Sequence, residues 1–341
     1  MRLLVIRMSA MGDVALAEPV LAGMRKQHPD VEIVLLTRPA FRAFFFSIPG
    51  LKFFFPDFNQ RHKGFTGIWR LFRDIMLQDR IDMVIDLHDI LRSKVLRSFF
   101  RIAGTKTFVI DKGRPEKKQL IRGGRKVQLK HTVERYCDVF AQAGFPVNPY
   151  DANPFEPLQE AKDKAAELTE TGVMNIGVAP FAKHKLKMWP EMNMVRLLHL
   201  ISEKHNCRFW LFGGREESEQ MKAFSEKIPG SFNVIGKMNL QEELALLNWM
   251  DFVIAMDSSN MHMAALAGTK VISIWGGTDP LAGFSAWKQP EKYSIRIPVE
   301  DLTCRPCTVY GKGECLRGDF ACMMWLTPEV VFRRMQEMNV I

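Results

Sequence analysis

Four short runs hold side chains that could act on a ligand. The first is R-M-S-A-M-G-D, Arg7–Asp13. Its small residues permit a tight turn, and Gly12 permits close approach of a ligand. Asp13 lies where a helix begins, at the mouth of the expected cleft; the plain reading is a helix N-cap, a favoured role for aspartate. The second is D-S-S-N-M-H, Asp257–His262. Ser258 and Ser259 would add hydroxyls, and His262 an imidazole, to the free N–H groups of a helix start, which suits a diphosphate. The alternative is a capped helix with a hydrogen-bonded histidine. The third, K-H-K-L-K-M-W-P-E, Lys183–Glu191, offers Lys187 as a point charge for a phosphate oxygen, or a solvated basic loop. The fourth, G-G-R-E-E, Gly213–Glu217, offers Glu216 or Glu217 to ribose hydroxyls, or acidic charge at a helix N-terminus. The first run is not G-x-G-x-x-G, so the dinucleotide fingerprint is absent.

The surrounding elements put these runs at equivalent places. Short β-rich stretches at Leu3–Arg7, Val31–Thr37, Leu51–Phe55, Asp82–His88 and Thr105–Ile110 alternate with helical stretches such as Val14–Lys26, Gly64–Arg80 and Leu91–Ile102. Asn148–Pro157, rich in Pro and Asn, breaks the pattern, and a charged helix over Leu158–Thr171 follows. Strands then recur at Asn175–Pro180, Phe209–Gly214, Phe232–Gly236, Phe252–Met256 and Lys270–Gly276, with helices between them. This alternation predicts an α/β chain of two doubly wound, parallel-sheet halves joined near residue 155 and facing a cleft. All four runs follow strands, and such sheets bind ligands at the carboxyl ends of strands.

The chain has 341 residues, 47% hydrophobic, enough for more than one core. No apolar run approaches the ~18 residues of a membrane span, and the N-terminus lacks a signal layout, so a cytoplasmic location is the expectation. The formal net charge is +9, and the excess lies in the first half: residues 1–156 carry 26 Lys and Arg against 16 Asp and Glu. Such a half suits an acidic substrate, an anionic membrane or nucleic acid. The charge is scattered and lacks an aromatic-plus-basic single-strand signature, which disfavours nucleic acid.

With R-M-S-A-M-G-D-V, K-M-W-P-E, G-K-M-N-L (Gly236–Leu240), D-S-S-N-M-H-M-A-A-L-A-G and W-G-G-T-D-P (Trp275–Pro280), the chain resembles the bacterial heptosyltransferases, glycosyltransferase family 9, of GT-B fold. The resemblance spans nearly the whole chain. It implies an acceptor domain over 1–155, a nucleotide-sugar donor domain over 156–326, and a terminal helix over 327–341 packing back on the first. It also implies inverting transfer from ADP-heptose to the lipopolysaccharide core, a Kdo-lipid A acceptor. Carried over by position, Asp13 matches the base and Lys187 the lysine that neutralises the departing diphosphate. Asp257, Ser258, Ser259 and His262 match the donor-binding helix start, and Met238 the methionine beside adenine. Glu216 or Glu217 matches the ribose-binding acid approximately. Ser258-Ser259 stands where the family commonly has Thr-Gly. Neither a metal nor an organic cofactor is implied, because lysine and the helix dipole supply positive charge.

The basic first half then suits an anionic acceptor, with Arg61, His62, Lys63 and Arg92 as candidate contacts, followed by Lys94 and a Lys112–Lys126 loop. Phe65–Arg73 could touch the inner face of the membrane, though core packing is the simpler role. Cys304-x2-Cys307-x7-Cys315-x6-Cys322 contains one zinc-like pair and one loose pair; packed thiols or a loop disulfide rank ahead of structural zinc. Two rivals differ in class: a nucleotide-sugar 2-epimerase, which needs no basic acceptor face, and a non-catalytic protein that binds anionic glycans or lipids.

Overall fold

A computed structural model describes residues 1–78, 80–122 and 126–341. The chain divides into two compact units, Met1–Lys112 with Thr132–Glu156, and Gly113–His131 with Pro157–Ile341.

In the first unit β1 (Arg2–Ile6) leads into α1 (Met11–Ala15) and α2 (Glu18–Gln27), then β2 (Glu32–Leu36) and β3 (Lys52–Phe54). α3 (Gly64–Gln78), β4 (Met83–Asp86), α4 (Leu91–Ile102) and β5 (Lys106–Val109) follow. The helix expected over Val14–Lys26 breaks between α1 and α2, where Pro19, the second residue of α2, has no N–H to continue the ladder. The strands form one parallel sheet of order β3-β2-β1-β4-β5. The order reverses direction between β1 and β4, which makes their carboxyl ends the topological switch point. α3 and α4 cover one sheet face, where Ile68, Leu71, Ile75, Leu96 and Phe100 pack on Leu4, Ile6 and Val84.

The intervening segment belongs elsewhere. α5 (Arg114–Ile121) is a helix where a loop was expected over Lys112–Lys126; residues 123–125 lie outside the described set. Leu120 and Leu129 join Ala282 and Val309 of the second unit in a small separate core. Leu129 N–H also donates to the Leu281 carbonyl at 2.8 Å. α6 (Thr132–Gln142) then returns to the first unit. This transfer removes the charge asymmetry. The first unit carries 19 Lys and Arg against 15 Asp and Glu, the second 28 against 23.

The second unit runs α7 (Gln159–Leu168), β6 (Met174–Ala179), α8 (Glu191–Ser202), β7 (Cys207–Leu211), α9 (Ser218–Ser225) and β8 (Phe232–Asn233). α10 (Leu240–Asn248), β9 (Phe252–Met256), α11 (Ser259–Leu266), β10 (Val271–Ile274) and β11 (Ser294–Ile295) complete a parallel sheet of order β11-β10-β9-β6-β7-β8. Its switch point lies between β6 and β9. α12 (Ala321–Met324) and α13 (Pro328–Glu337) end the chain. The terminal helix α13 falls within the second unit. Val331, Phe332 and Met335 of α13 are buried with Met194, Leu197 and Leu198 of α8, so its apolar face is used within the second unit.

Candidate active site

In the first unit the switch point is built around Asp13. Ala10, not Asp13, is the N-cap of α1, and it makes no side-chain cap bond. Asp13 sits in the first turn, and its carboxylate meets the guanidinium of buried Arg7 at 2.5 Å. Arg7 is held in turn: it donates to the Leu87 carbonyl at 2.5 Å and lies 5.6 Å above the Tyr136 ring. Tyr136 donates its hydroxyl to the Asp13 carbonyl at 3.1 Å. The carboxylate is thus held by Arg7, itself anchored, and the Asp13 backbone by Tyr136, while about a third of the side chain stays exposed. An oriented, accessible carboxylate can take a proton from a bound hydroxyl. Gly12 is buried in the same turn.

His88, after β4, completes this edge with Nε2 3.2 Å from Ser9 Oγ. Burial, then the charges of Arg7 and Lys112, push its imidazole down to about 3, outweighing Asp13. It is therefore neutral at ordinary pH. Beneath it Asp86 is fully buried, accepting from the His88 and Asp89 N–H groups at 2.9 Å and from Arg97 at 2.7 Å.

Of the four expected acceptor contacts, two converge on one carboxylate, and only His62 is buried. Arg61 makes a two-pronged bond to Asp74 at 2.6 Å, and buried His62 bonds the same carboxylate at 3.0 Å and the Asp57 N–H at 2.9 Å. These bonds hold the turn before α3, so His62 is a structural residue rather than an acceptor contact. Lys63 and Arg92 remain exposed, Arg92 lying over Phe58 at 4.8 Å.

In the second unit the switch point carries a lysine and a helix start. Lys187 Nζ pairs with the buried Asp257 carboxylate at 2.8 Å. Ser258 is the N-cap of α11, yet its side chain makes no cap bond, and Oγ is buried without a protein hydrogen bond. Ser259 opens the helix, and buried His262 stands in its first turn. The free N–H groups of α11, the Ser258 hydroxyl and Lys187 form a site for an anion.

Anchors on both sides set the position of Lys187. The Leu186 carbonyl accepts from Gly277 N–H at 2.8 Å, and Trp189 donates to the Leu326 carbonyl at 2.8 Å. Gly276 and Gly277 are glycines for packing reasons. A Cβ on Gly276 would press on the end of Met323 and come 3.0 Å from the Leu186 carbonyl oxygen, and one on Gly277 would come 3.0 Å from Cys307 Sγ and 3.1 Å from Leu186. The W-G-G-T-D-P run is itself pinned by Arg305, which is fully buried. Arg305 donates to the carbonyls of Gly276 (2.7 Å), Thr278 (2.9 Å) and Ile297, and pairs with buried Asp279 at 3.2 Å. Gly311, at φ +78°, lies under the Lys187 stem, where a Cβ would come 2.6 Å from Cγ.

The two glutamates after β7 now separate. Glu217 bonds the Gly214 N–H at 2.8 Å, and burial pushes its carboxyl up. Glu216 is exposed and its carboxyl folds over Gly214, where a Cβ would meet it at 2.6 Å. Met238 is half-buried in the loop after β8. Along the carboxyl edge the order β9-β6-β7-β8 therefore sets out the Ser258–His262 start, Lys187, Glu216 and Met238 in a row. At about 4.8 Å per strand that row is roughly 15 Å long.

All six cysteines are free thiols. Cys322 packs in the main core, Cys307 Sγ lies 3.6 Å from the Gly277 carbonyl, and burial raises both thiols, Cys322 to about 11. Among the described residues no three or more His, Cys, Asp or Glu are grouped to hold a metal ion. Sequence reasoning missed Arg7, His88, Tyr136 and Arg305. Arg7 and His88 each follow a strand, which was a usable signal; Tyr136 and Arg305 had none.

The profile of glycosyltransferase family 9 (heptosyltransferase) matches residues 68–313. The chain is 22% identical over 290 residues to the lipopolysaccharide core heptosyltransferase OpsX of Haemophilus influenzae, covering 82% of this chain and 80% of that one. A solved glycosyltransferase family 9 structure from Veillonella parvula superposes with TM-score 0.77 at 18% identity, covering 98% and 96% of the two chains. The E. coli heptosyltransferase WaaC with ADP does so with TM-score 0.68 at 19% identity over 99% of each chain.

Proposed function

The chain belongs to glycosyltransferase family 9, and on that premise we propose that it moves heptose from ADP-heptose to an anionic lipopolysaccharide core acceptor, with inversion and without a metal. Asp13 takes the proton of the acceptor hydroxyl as its oxygen attacks the anomeric carbon. Arg7 keeps the carboxylate aimed, and the neutral His88 adds no competing cation. Lys187 leaves Asp257 in part to meet the diphosphate as the glycosidic bond breaks. The α11 N–H groups and the Ser258 hydroxyl share the charge that builds on the leaving group. Glu216 accepts from the ribose hydroxyls and Met238 packs by adenine. Lys63 and Arg92 meet acceptor carboxylates or phosphates, and the enzyme works at the cytoplasmic face of the inner membrane.

The observation that carries this reading is the row Ser258–His262, Lys187, Glu216, Met238, which follows the linear order of a nucleoside diphosphate from phosphate to base. Calorimetric titration with ADP, UDP and GDP tests it, followed by a transfer assay with ADP-heptose. ADP is expected to bind best, and preference for UDP or GDP overturns the donor assignment. Asp13→Asn is expected to lower turnover by about 10²–10⁴-fold while ADP binding stays unchanged. Near-normal turnover in that variant removes Asp13 as the base.

A further inference from the structure

The outer faces of α3 and α4 carry an apolar surface that extends beyond the acceptor contact proposed for Arg92. One side of α3 is buried through Gly67, Ile68, Leu71 and Ile75. The opposite side turns Phe65, Trp69 and Leu77 to solvent, 69, 44 and 77% exposed. α4 does the same with Leu91 and Ile102, 77 and 84% exposed. The two helices lie side by side, joined through Phe65 and Phe72 on Phe99 with ring centroids 5.8 and 6.0 Å apart. Isolated surface apolar residues need no explanation, but five large ones across two adjacent helices do.

The charges on this face are of one sign. Arg70, Arg73, Arg92, Lys94 and Arg101 all stand exposed. The single acid within α3 and α4 is Asp74, which faces Arg61 and His62. Arg73 lies over the Trp69 ring at 4.9 Å, so cation and indole project together. Aromatic and aliphatic side chains mixed with arginine and lacking acids are what an interfacial helix presents to anionic lipid headgroups. An apolar protein partner would not require the five cations.

We propose that the α3–α4 face docks on an anionic phospholipid bilayer, with Phe65 and Trp69 inserted at headgroup depth. The inference rests on the reading that the acceptor is a membrane lipid, and it names the surface that meets the membrane. Each helix follows a strand of a parallel sheet, so the N-terminal ends of α3 and α4, with Phe65 and Leu91, lie at the same sheet edge as Asp13. A bilayer against these ends brings headgroup-level hydroxyls to the base.

The test is flotation of the full chain with vesicles of phosphatidylethanolamine and phosphatidylglycerol, against vesicles of phosphatidylcholine alone. The wild type is expected to float with the anionic vesicles, and less as salt is raised. Phe65→Ser/Trp69→Ser is expected to reduce partitioning about ten-fold or more, and Arg70→Glu/Arg73→Glu to abolish the anionic preference. Unchanged thermal unfolding and unchanged turnover of a deacylated, water-soluble acceptor show that these variants remain folded and active. Failure of the wild type to float, or flotation of both variants like the wild type, overturns the proposal. A change in oligomeric state in either variant without loss of flotation overturns it in favour of a protein partner. None of these outcomes bears on ADP binding, so the surface can fail while the transferase reading stands.

Discussion

Arg305→Met is the most informative perturbation of the second unit. Methionine keeps much of the volume and removes the guanidinium. The loss leaves Asp279 Oδ2 without its 3.2 Å partner, and the carbonyls of Gly276, Thr278 and Ile297 without a donor, all in a fully buried setting. An uncompensated buried charge costs about 3–5 kcal/mol and an orphaned acceptor about 1–3 kcal/mol. Arg296 Nε, 3.5 Å from the same carboxylate oxygen, takes over part of the charge. The expected net loss is therefore about 4 kcal/mol, at the middle of the range for a broken buried pair. Denaturant unfolding followed by tryptophan fluorescence measures it. Adding Asp279→Asn should return about half, because the stranded charge is gone and only neutral groups remain unpaired. A loss below about 1 kcal/mol, or a double variant no more stable than the single, refutes the claim that Arg305 neutralises Asp279. ADP affinity should fall as well, since Gly277 holds the Leu186 carbonyl beside Lys187.

The other expectations concern the donor site and pH. Lys187→Met should weaken ADP binding by about 10–100-fold in calorimetry, because a charge-assisted contact to the diphosphate is lost; unchanged affinity would leave the lysine a mere partner of Asp257. Gly311→Ala should weaken ADP binding in the same direction, since its methyl group displaces the Lys187 stem, and normal affinity would contradict that packing. His88 is held at about 3 against its ordinary 6.5. Between those values the unfolded chain binds a proton that the folded chain does not, so stability falls as pH drops through the window. Glu243, raised to about 7 by burial against the opposing charge of Arg215, acts in the reverse sense. The folded chain keeps its proton, so stability falls as pH rises from 4.5 to 7. His88→Gln and Glu243→Gln should each flatten its own limb in denaturation curves taken across pH, and parallel curves would show that neither group is coupled to folding.

Strand positions, the parallel sheets and the edge on which the candidate residues lie were legible because they depend on local periodicity and on connections that the chain makes in order. Asp13 and Lys187 could be found because each follows a strand. The ion pairs that hold them could not be read, since Arg7 and Asp257 meet them only once the turns are folded. His62 looked like a ligand contact because a basic run before a helix is usually solvated, and only the fold turns it onto Asp74. The Lys112–Lys126 stretch looked like a loop because the two apolar residues that anchor it, Leu120 and Leu129, are packed by residues some 150 positions away. The charge excess of residues 1–156 is not that of the first unit for the same reason.

That stretch has a consequence for how such a chain can be inherited. The backbone passes between the units at three places, near residues 112, 131 and 156, so no single cut separates them. A fragment ending near 155 would carry α5 with Leu120 and Leu129 stripped of Ala282 and Val309, and the complementary fragment would lack that wall of its small core. Recombination between relatives at one crossover therefore joins a borrowed second unit to a foreign α5. A hybrid that preserves both cores must carry residues 113–131 along with the second unit, so the two halves of this enzyme evolve as interlocked rather than interchangeable parts.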